Sequence, residues 1–275
     1  MRVLIATYPH AHDPAVLSYG LELAKACRAE CTLAYVITRP GERTAGQAAL
    51  AAQVQQAQQL GLLPQAELCL GQADEQIVHL AAQDGSTLII LGESKPDRFF
   101  GQLLAPASER VLANAPCPVL LVRGPAPRQP RKLLFLHGGQ QALQTLPVFL
   151  SSAGSILQPD GQVTLLHVMS HMGAGHQVSG WELAADANEL ISRKTAEGEW
   201  LQQSMALLQP FGGGVTPKVR HGLVVDEILA EIKQGDYDTI VLGSHGSGTW
   251  QDFLIDNVTK QVIDGTKLPV LVVPR

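Results

Sequence analysis

The 275-residue chain is short of aromatic residues (5%), of charge (16% Asp, Glu, Lys and Arg together) and of cysteine, of which it has four. Each shortage excludes something. Few rings leave little material for a base-stacking platform. Twenty Lys and Arg against 25 Asp and Glu give a formal charge of −5, and a chain without a basic stripe is poorly made for wrapping nucleic acid. Cys27, Cys31, Cys69 and Cys117 form no CxxC pair, which favours free thiols in a reducing compartment over a disulfide frame or zinc site. No apolar run approaches the ~20 residues of a membrane helix. The opening MRVLIATYPHAHDP has neither the apolar length nor the small-residue cleavage site of a signal peptide. The expectation is a cytoplasmic protein with no nucleic-acid or membrane partner.

What the chain has is a repeat. Residues 71–122 lie over 222–273 without a gap, at an offset of 151. Gly71 falls on Gly222, Ile77 on Ile228, Leu91-Gly92 on Leu242-Gly243, and Pro118-Val-Leu-Leu-Val122 on Pro269-Val-Leu-Val-Val273. Upstream the offset shrinks to 132, with Val36 on Val168, so the second copy is longer by about 19 residues within 169–221. Between the copies stands RGPAPRQPR (123–131), an exposed, stiff connector by composition. The expected domains are residues 1–123 and 132–275, with a linker at 124–131.

Each copy alternates strand and helix. In the first, strands are predicted at 3–7, 31–38, 65–70, 87–92 and 118–122. Helices are predicted after Asp13-Pro14, at 43–60, 74–83 and 106–114. The second copy repeats this order, with one long helical region at 181–209. The strands are near-continuous apolar runs, buried on both faces, and the intervening helices make them parallel. The predicted fold class is α/β, with two doubly wound, parallel-sheet, Rossmann-like five-stranded domains in tandem. Such sheets bind ligands beyond the carboxyl ends of the strands, where the strand order reverses.

These pieces, in this order and twice over, resemble the universal stress protein (UspA) family: the VLIAT strand, the Gly with an Ile six residues on, the LIILG and TIVLGSHG strand ends, and the closing PCPVLLV and LPVLVV. The likeness covers nearly the whole chain except the connector and the 169–221 enlargement. It implies a regulatory, stress-response binding protein and not an efficient enzyme. It also implies a terminal strand that pairs across a dimer. In a tandem chain the two terminal strands can pair internally as a pseudo-dimer, with a homodimer as a further possibility.

The ATP-binding branch of that family carries G-x-x-G, nine residues, then G-[S/T], whose backbone N–H groups approach phosphates at a helix N-terminus. Here Gly243 and Gly246 match, but Asp256 and Asn257 replace the final pair. In the first copy only Gly92 matches: Lys95 and Ala105-Pro106 stand in the other places, and Pro106 removes an N–H. The family's acid at the end of strand one is Tyr8 in the first copy and His137-Gly138 in the second. The resemblance therefore places an adenine nucleotide such as ATP in the second copy alone. Gly243, Ser244, His245, Gly246, Asn257 and Val258 would hold it, with the backbone at His137-Gly138 and Val168 flanking the base. Asp256 would repel an unescorted phosphate, or serve as a ligand if Mg²⁺ bridged. Two rivals stand beside this reading: a nucleotide-free scaffold acting through protein contacts, and a slow ATPase or metal-dependent hydrolase.

His137, His167, His221 and His245 fall at or near the ends of four strands of the second copy. Together with Asp256 they are candidates for a transition-metal site, but ordinary hydrogen-bonded histidines explain the same pattern, and no metal ligand is assigned. Ser244 and His245 are adjacent, so their side chains diverge, and no GxSxG elbow is present. No catalytic residue is assigned. The Gly-rich HMGAGH (171–176) reads as a turn, and Trp181 and Trp200 as packing residues.

Overall fold

A computed structural model describes residues 1–9, 14–93, 98–99, 102–103, 106–123, 130–170, 181, 184–211, 213–243 and 257–274. The first half contains β1 (Arg2–Thr7), α1 (Pro14–Ala26), β2 (Glu30–Ile37), α2 (Arg43–Gln59), β3 (Gln65–Leu70), α3 (Ala73–Asp84), β4 (Leu88–Gly92), α4 (Ala107–Asn114) and β5 (Val119–Val122). The second contains β6 (Lys132–Leu136), α5 (Ala142–Ala153), β7 (Gln162–Met169), α6 (Ala187–Ser192), α7 (Ala196–Leu208), β8 (Gly214–His221), α8 (Val224–Gln234), β9 (Thr239–Gly243), α9 (Asn257–Gly265) and β10 (Val270–Val273). A two-residue ribbon, Arg98–Phe99 with Gln102–Leu103, follows β4.

Why the strands sit inside follows from their composition. Within β1, Val3, Leu4, Ile5 and Ala6 are all buried, as are Leu88 to Leu91 in β4 and Ile240 to Leu242 in β9. Apolar side chains on both faces require cover on both faces, and the helices supply it. Alternation then divides the core. Val3, Ile5, Leu133 and Phe135 face one layer, and Leu4, Ala6 and Leu134 face the other.

Both halves have the same strand order. The first runs β3-β2-β1-β4-β5 and the second β8-β7-β6-β9-β10, with every pairing inside a half parallel. This is the doubly wound arrangement expected from the repeat, with order reversal between β1 and β4 and between β6 and β9. The halves meet through β5 and β10, which pair antiparallel, so all ten strands form one sheet. Two apolar terminal strands that would each be a sticky edge are thereby closed against each other.

The outer edges are β3 and β8. Pro217 lies within β8, where an edge strand tolerates the missing donor. Behind this strand Glu231 is fully buried, yet both carboxylate oxygens are hydrogen-bonded: to Lys218 at 2.8 Å, Arg220 at 3.0 Å and the Tyr237 hydroxyl at 2.6 Å. These donors hold its carboxyl below its usual pKa against the opposing effect of burial.

The repeat glycines have a backbone cause. Gly71 and Gly222 follow β3 and β8 with φ of 145° and 148°, a region closed to most side chains. One expectation needs correction. The long helical region at 181–209 is two helices, broken at Arg193–Thr195. Lys194 takes φ 55°, and the Thr195 side chain accepts a hydrogen bond from Gly198 N–H at 3.1 Å to start α7. Asp186 and Glu189 form a capping box at the start of α6. The expected N-cap Asp13, the connector residues 124–129 and the Gly-rich 171–176 lie outside the described residues.

The four cysteines carry no disulfide. Burial pushes the Cys31 and Cys117 thiols up to about 12 and Cys27 to about 11, which keeps them protonated and unreactive at neutral pH. Among the described residues, no helix is long and apolar enough to cross a membrane.

Candidate functional site

At the carboxyl ends of β6, β7 and β9, where the strand order of the second half reverses, lies a cavity of about 450 Å³. Its wall is mostly apolar: Leu136, Ala142, Leu166, Val168, Val224, Ile228, Leu242 and Val262. The polar contributions come from His137, Gln141, Thr145, His167, Asn257 and Thr259, and from the backbone at Gly138, Gly139 and Gly243. No charged side chain lines it among the described residues. An apolar slot with a few convergent polar groups is the usual form of a small-molecule site.

Six residues expected at the site from the sequence come together here: His137, Gly138, Val168, Gly243, Asn257 and Val258. The other three, Ser244, His245 and Gly246, lie outside the described residues, as does Asp256. Gly243 is also fixed by packing. A Cβ there would stand 2.7 Å from Thr145 Oγ1 and 3.0 Å from its Cγ2. Asn257, Val258 and Thr259, the first described residues of α9, line the cavity.

The histidines are held in distinct ways. His167 Nδ1–H donates to the His137 carbonyl at 2.9 Å, which fixes its tautomer because a carbonyl can only accept. The two rings meet edge to face with centroids 5.7 Å apart. His137 Nε2 lies 2.9 Å from Ser204 Oγ of α7. Burial, reinforced by the neighbouring His167, lowers the pKa of His137 from 6.5 to about 4, and burial lowers that of His167 too. Both rings are therefore neutral at pH 7. His221 Nε2 lies 2.9 Å from the Ala185 carbonyl. Among the described residues no group of three or more His, Cys, Asp or Glu is placed to hold a metal, and His245 lies outside them.

Sequence reasoning missed Gly139, Gln141, Thr145 and Thr259. Gly139 has φ 64°, and a Cβ there would be 3.3 Å from the Trp200 ring, so the turn after β6 is pressed against α7. Trp200 thus packs, as expected, but at the cavity rim. Trp181 stacks under Arg193 at 4.0 Å. Ile228, noted only as part of the repeat, forms cavity wall.

In the first half a buried side chain stands at the corresponding strand end. Tyr8 is 6% exposed and joins the core cluster of Leu4, Ala34, Val36, Ala73, Ile77 and Leu91. Val36 and Ala107, the counterparts of Val168 and Val258, are buried, whereas Val258 is 38% exposed.

The description "Universal stress protein family" fits residues 1–123 and 148–274 of the chain. Over 89 residues the chain is 32% identical to universal stress protein MJ0577 of Methanocaldococcus jannaschii. That stretch is 32% of this chain and spans only about half (55%) of the relative's length. A solved universal stress protein from Archaeoglobus fulgidus DSM 4304 superposes with a TM-score of 0.66 at 18% identity, covering 100% of this chain and 96% of the other. Protein PA1789 of Pseudomonas aeruginosa PAO1, described as functionally unknown, superposes at 0.68 with 18% identity, covering 99% and 92%. At such identities the two structures establish the fold alone.

Proposed function

Because the chain belongs to the universal stress protein family, we propose that it is a regulatory, stress-response binding protein whose second half takes one adenine nucleotide. The observation that carries this reading is the cavity at the β6/β9 reversal. It gathers His137, Gly138, Val168, Gly243, Asn257 and Val258 around a volume of about 450 Å³. The apolar slot between Leu136, Val168 and Ile228 suits a flat heteroaromatic base. The α9 N-terminus at Asn257 suits the phosphates. Ser244, His245 and Gly246 complete the proposed phosphate side, with Mg²⁺ offsetting Asp256.

The first half, residues 1–123, serves as a structural partner to 132–275, joined by the linker at 124–131. The β5–β10 pairing supports an intramolecular pseudo-dimer, and cytoplasmic residence with further homodimerisation completes the proposal.

Thermal unfolding with 1 mM ATP, with and without Mg²⁺, tests the proposal. Binding at 100 times Kd stabilises by about 2.7 kcal/mol, a rise of about 5–10 °C for a chain of this size. Val258→Trp, at the partly exposed cavity mouth, should remove the rise while leaving the ligand-free midpoint nearly unchanged. An absent rise in the wild type under both conditions refutes it and returns the nucleotide-free scaffold.

A further inference from the structure

The contact between the two halves has a local two-fold axis. Strand β5 pairs with β10 as Val119↔Val272, Leu120↔Leu271 and Leu121↔Val270. Leu271 stands 151 residues beyond Leu120, the repeat offset itself, so the axis passes between two equivalent residues. In an assembly of two identical halves every contact near such an axis would occur twice, and residues on it would meet their own copies.

The chemistry departs from that symmetry in two places. Lys260 of α9 lies 3.2 Å from both carboxylate oxygens of Glu109 of α4, and these residues too are 151 apart. Equivalent positions therefore face each other with opposite charge. Two first halves would set Glu109 against Glu109, and two second halves Lys260 against Lys260. The second departure is Arg123, after β5. It donates to the Ile263 carbonyl and, at 2.8 Å, to the Thr266 carbonyl at the end of α9, while Glu93 holds its other face at 2.8 Å. Its side chain is largely buried. A cation on the free carbonyls of a helix C-terminus is favourable. Its counterpart at the same offset is Pro274, which has no donor to return the contact.

We infer that this surface is specified to join unlike halves: the β5–α4 face of the first half fits the β10–α9 face of the second and discriminates against a copy of itself. Like-charge opposition at Glu109 and Lys260 supplies the rejection, and Pro274 in place of Arg123 leaves a pair of second halves without the cap. A single-copy gene whose product self-pairs cannot separate the two sides in this way; a fused repeat can.

The test keeps the whole chain and severs only the connector. A protease site is placed within residues 124–129, the purified protein is cut, and native mass spectrometry reads the pairs after prolonged incubation. Unlike pairs should exceed each like pair by roughly tenfold, against twofold for random association. Glu109→Lys with Lys260→Glu should leave that excess in place. Glu109→Gln with Lys260→Gln should reduce it. A statistical mixture in the cut wild type, halves that separate, or an unchanged excess in the Gln pair would each overturn the inference.

Discussion

The two halves share one strand order and one repeat, yet they treat the same crevice in opposite ways. After β1 the first half places Tyr8, and its ring becomes core. After β6 the second half places Gly138, and the space stays open. The comparison extends below the crevice. Thr7 accepts from Gln53 Nε2 at 2.8 Å, and 151 residues beyond Gln53 Ser204 meets His137 at 2.9 Å. Both halves keep a buried polar pair between the first strand end and the helix preceding the edge strand, with different residue types. The difference teaches that one repeated framework accepts two side-chain solutions at the same strand end. In the first half a single aromatic side chain takes up that space.

The largest effect expected from breaking this comparison is at Tyr8. Tyr8→Ala should empty the packed crevice of the first half and cost about 3–5 kcal/mol, read from urea unfolding. A cost below about 1 kcal/mol would mean the ring is not core. Next comes pH. His137 titrates near 4 when folded and near 6.5 when unfolded. The unfolded state then binds the extra proton between those values. The stability contribution of the neutral ring is fully present above pH 6.5 and is lost as pH falls toward 4, by on the order of 3 kcal/mol. His137→Thr, which copies the first half's Thr7, should flatten that part of the stability–pH curve. A wild-type curve that is already flat contradicts the burial of the ring.

A comparable loss, in ligand response, is expected from Gly138→Tyr. Gly138 has φ −82° and ψ 41°, so the left-handed region is not involved and the new side chain can imitate Tyr8. Stabilisation by MgATP, about 2.7 kcal/mol at 100 times Kd, should disappear. The smallest effects belong to the buried polar pairs. Gln53→Ala and Ser204→Ala should each cost about 1 kcal/mol, by chemical denaturation, since each strands one partner.

Much of the fold was legible because apolar runs and a gapless repeat leave few alternatives. Strand β3 begins and ends where the residues predicted it. The break at Arg193–Thr195 was missed although its signals are local: Asp186 with Glu189, and Thr195 before Ala196. They were outweighed by the apolar periodicity on either side. At the site, glycines and strand ends were readable, because a turn constrains residue type wherever it occurs. The apolar wall was not, since Val224, Ile228 and Val262 look like any core residues until the strand order brings them to one crevice. The polar pairs were hidden for a different reason. Thr7 with Gln53 and His137 with Ser204 perform one task with unlike side chains, so an alignment by residue identity passes over them.

Calorimetric titration of the wild-type chain with MgATP tests the central claim most directly. One nucleotide per chain is the predicted stoichiometry, from an open second half and a closed first. Two per chain would show that Tyr8 does not close the first half, and none would show that the open cavity of the second half is not a nucleotide site.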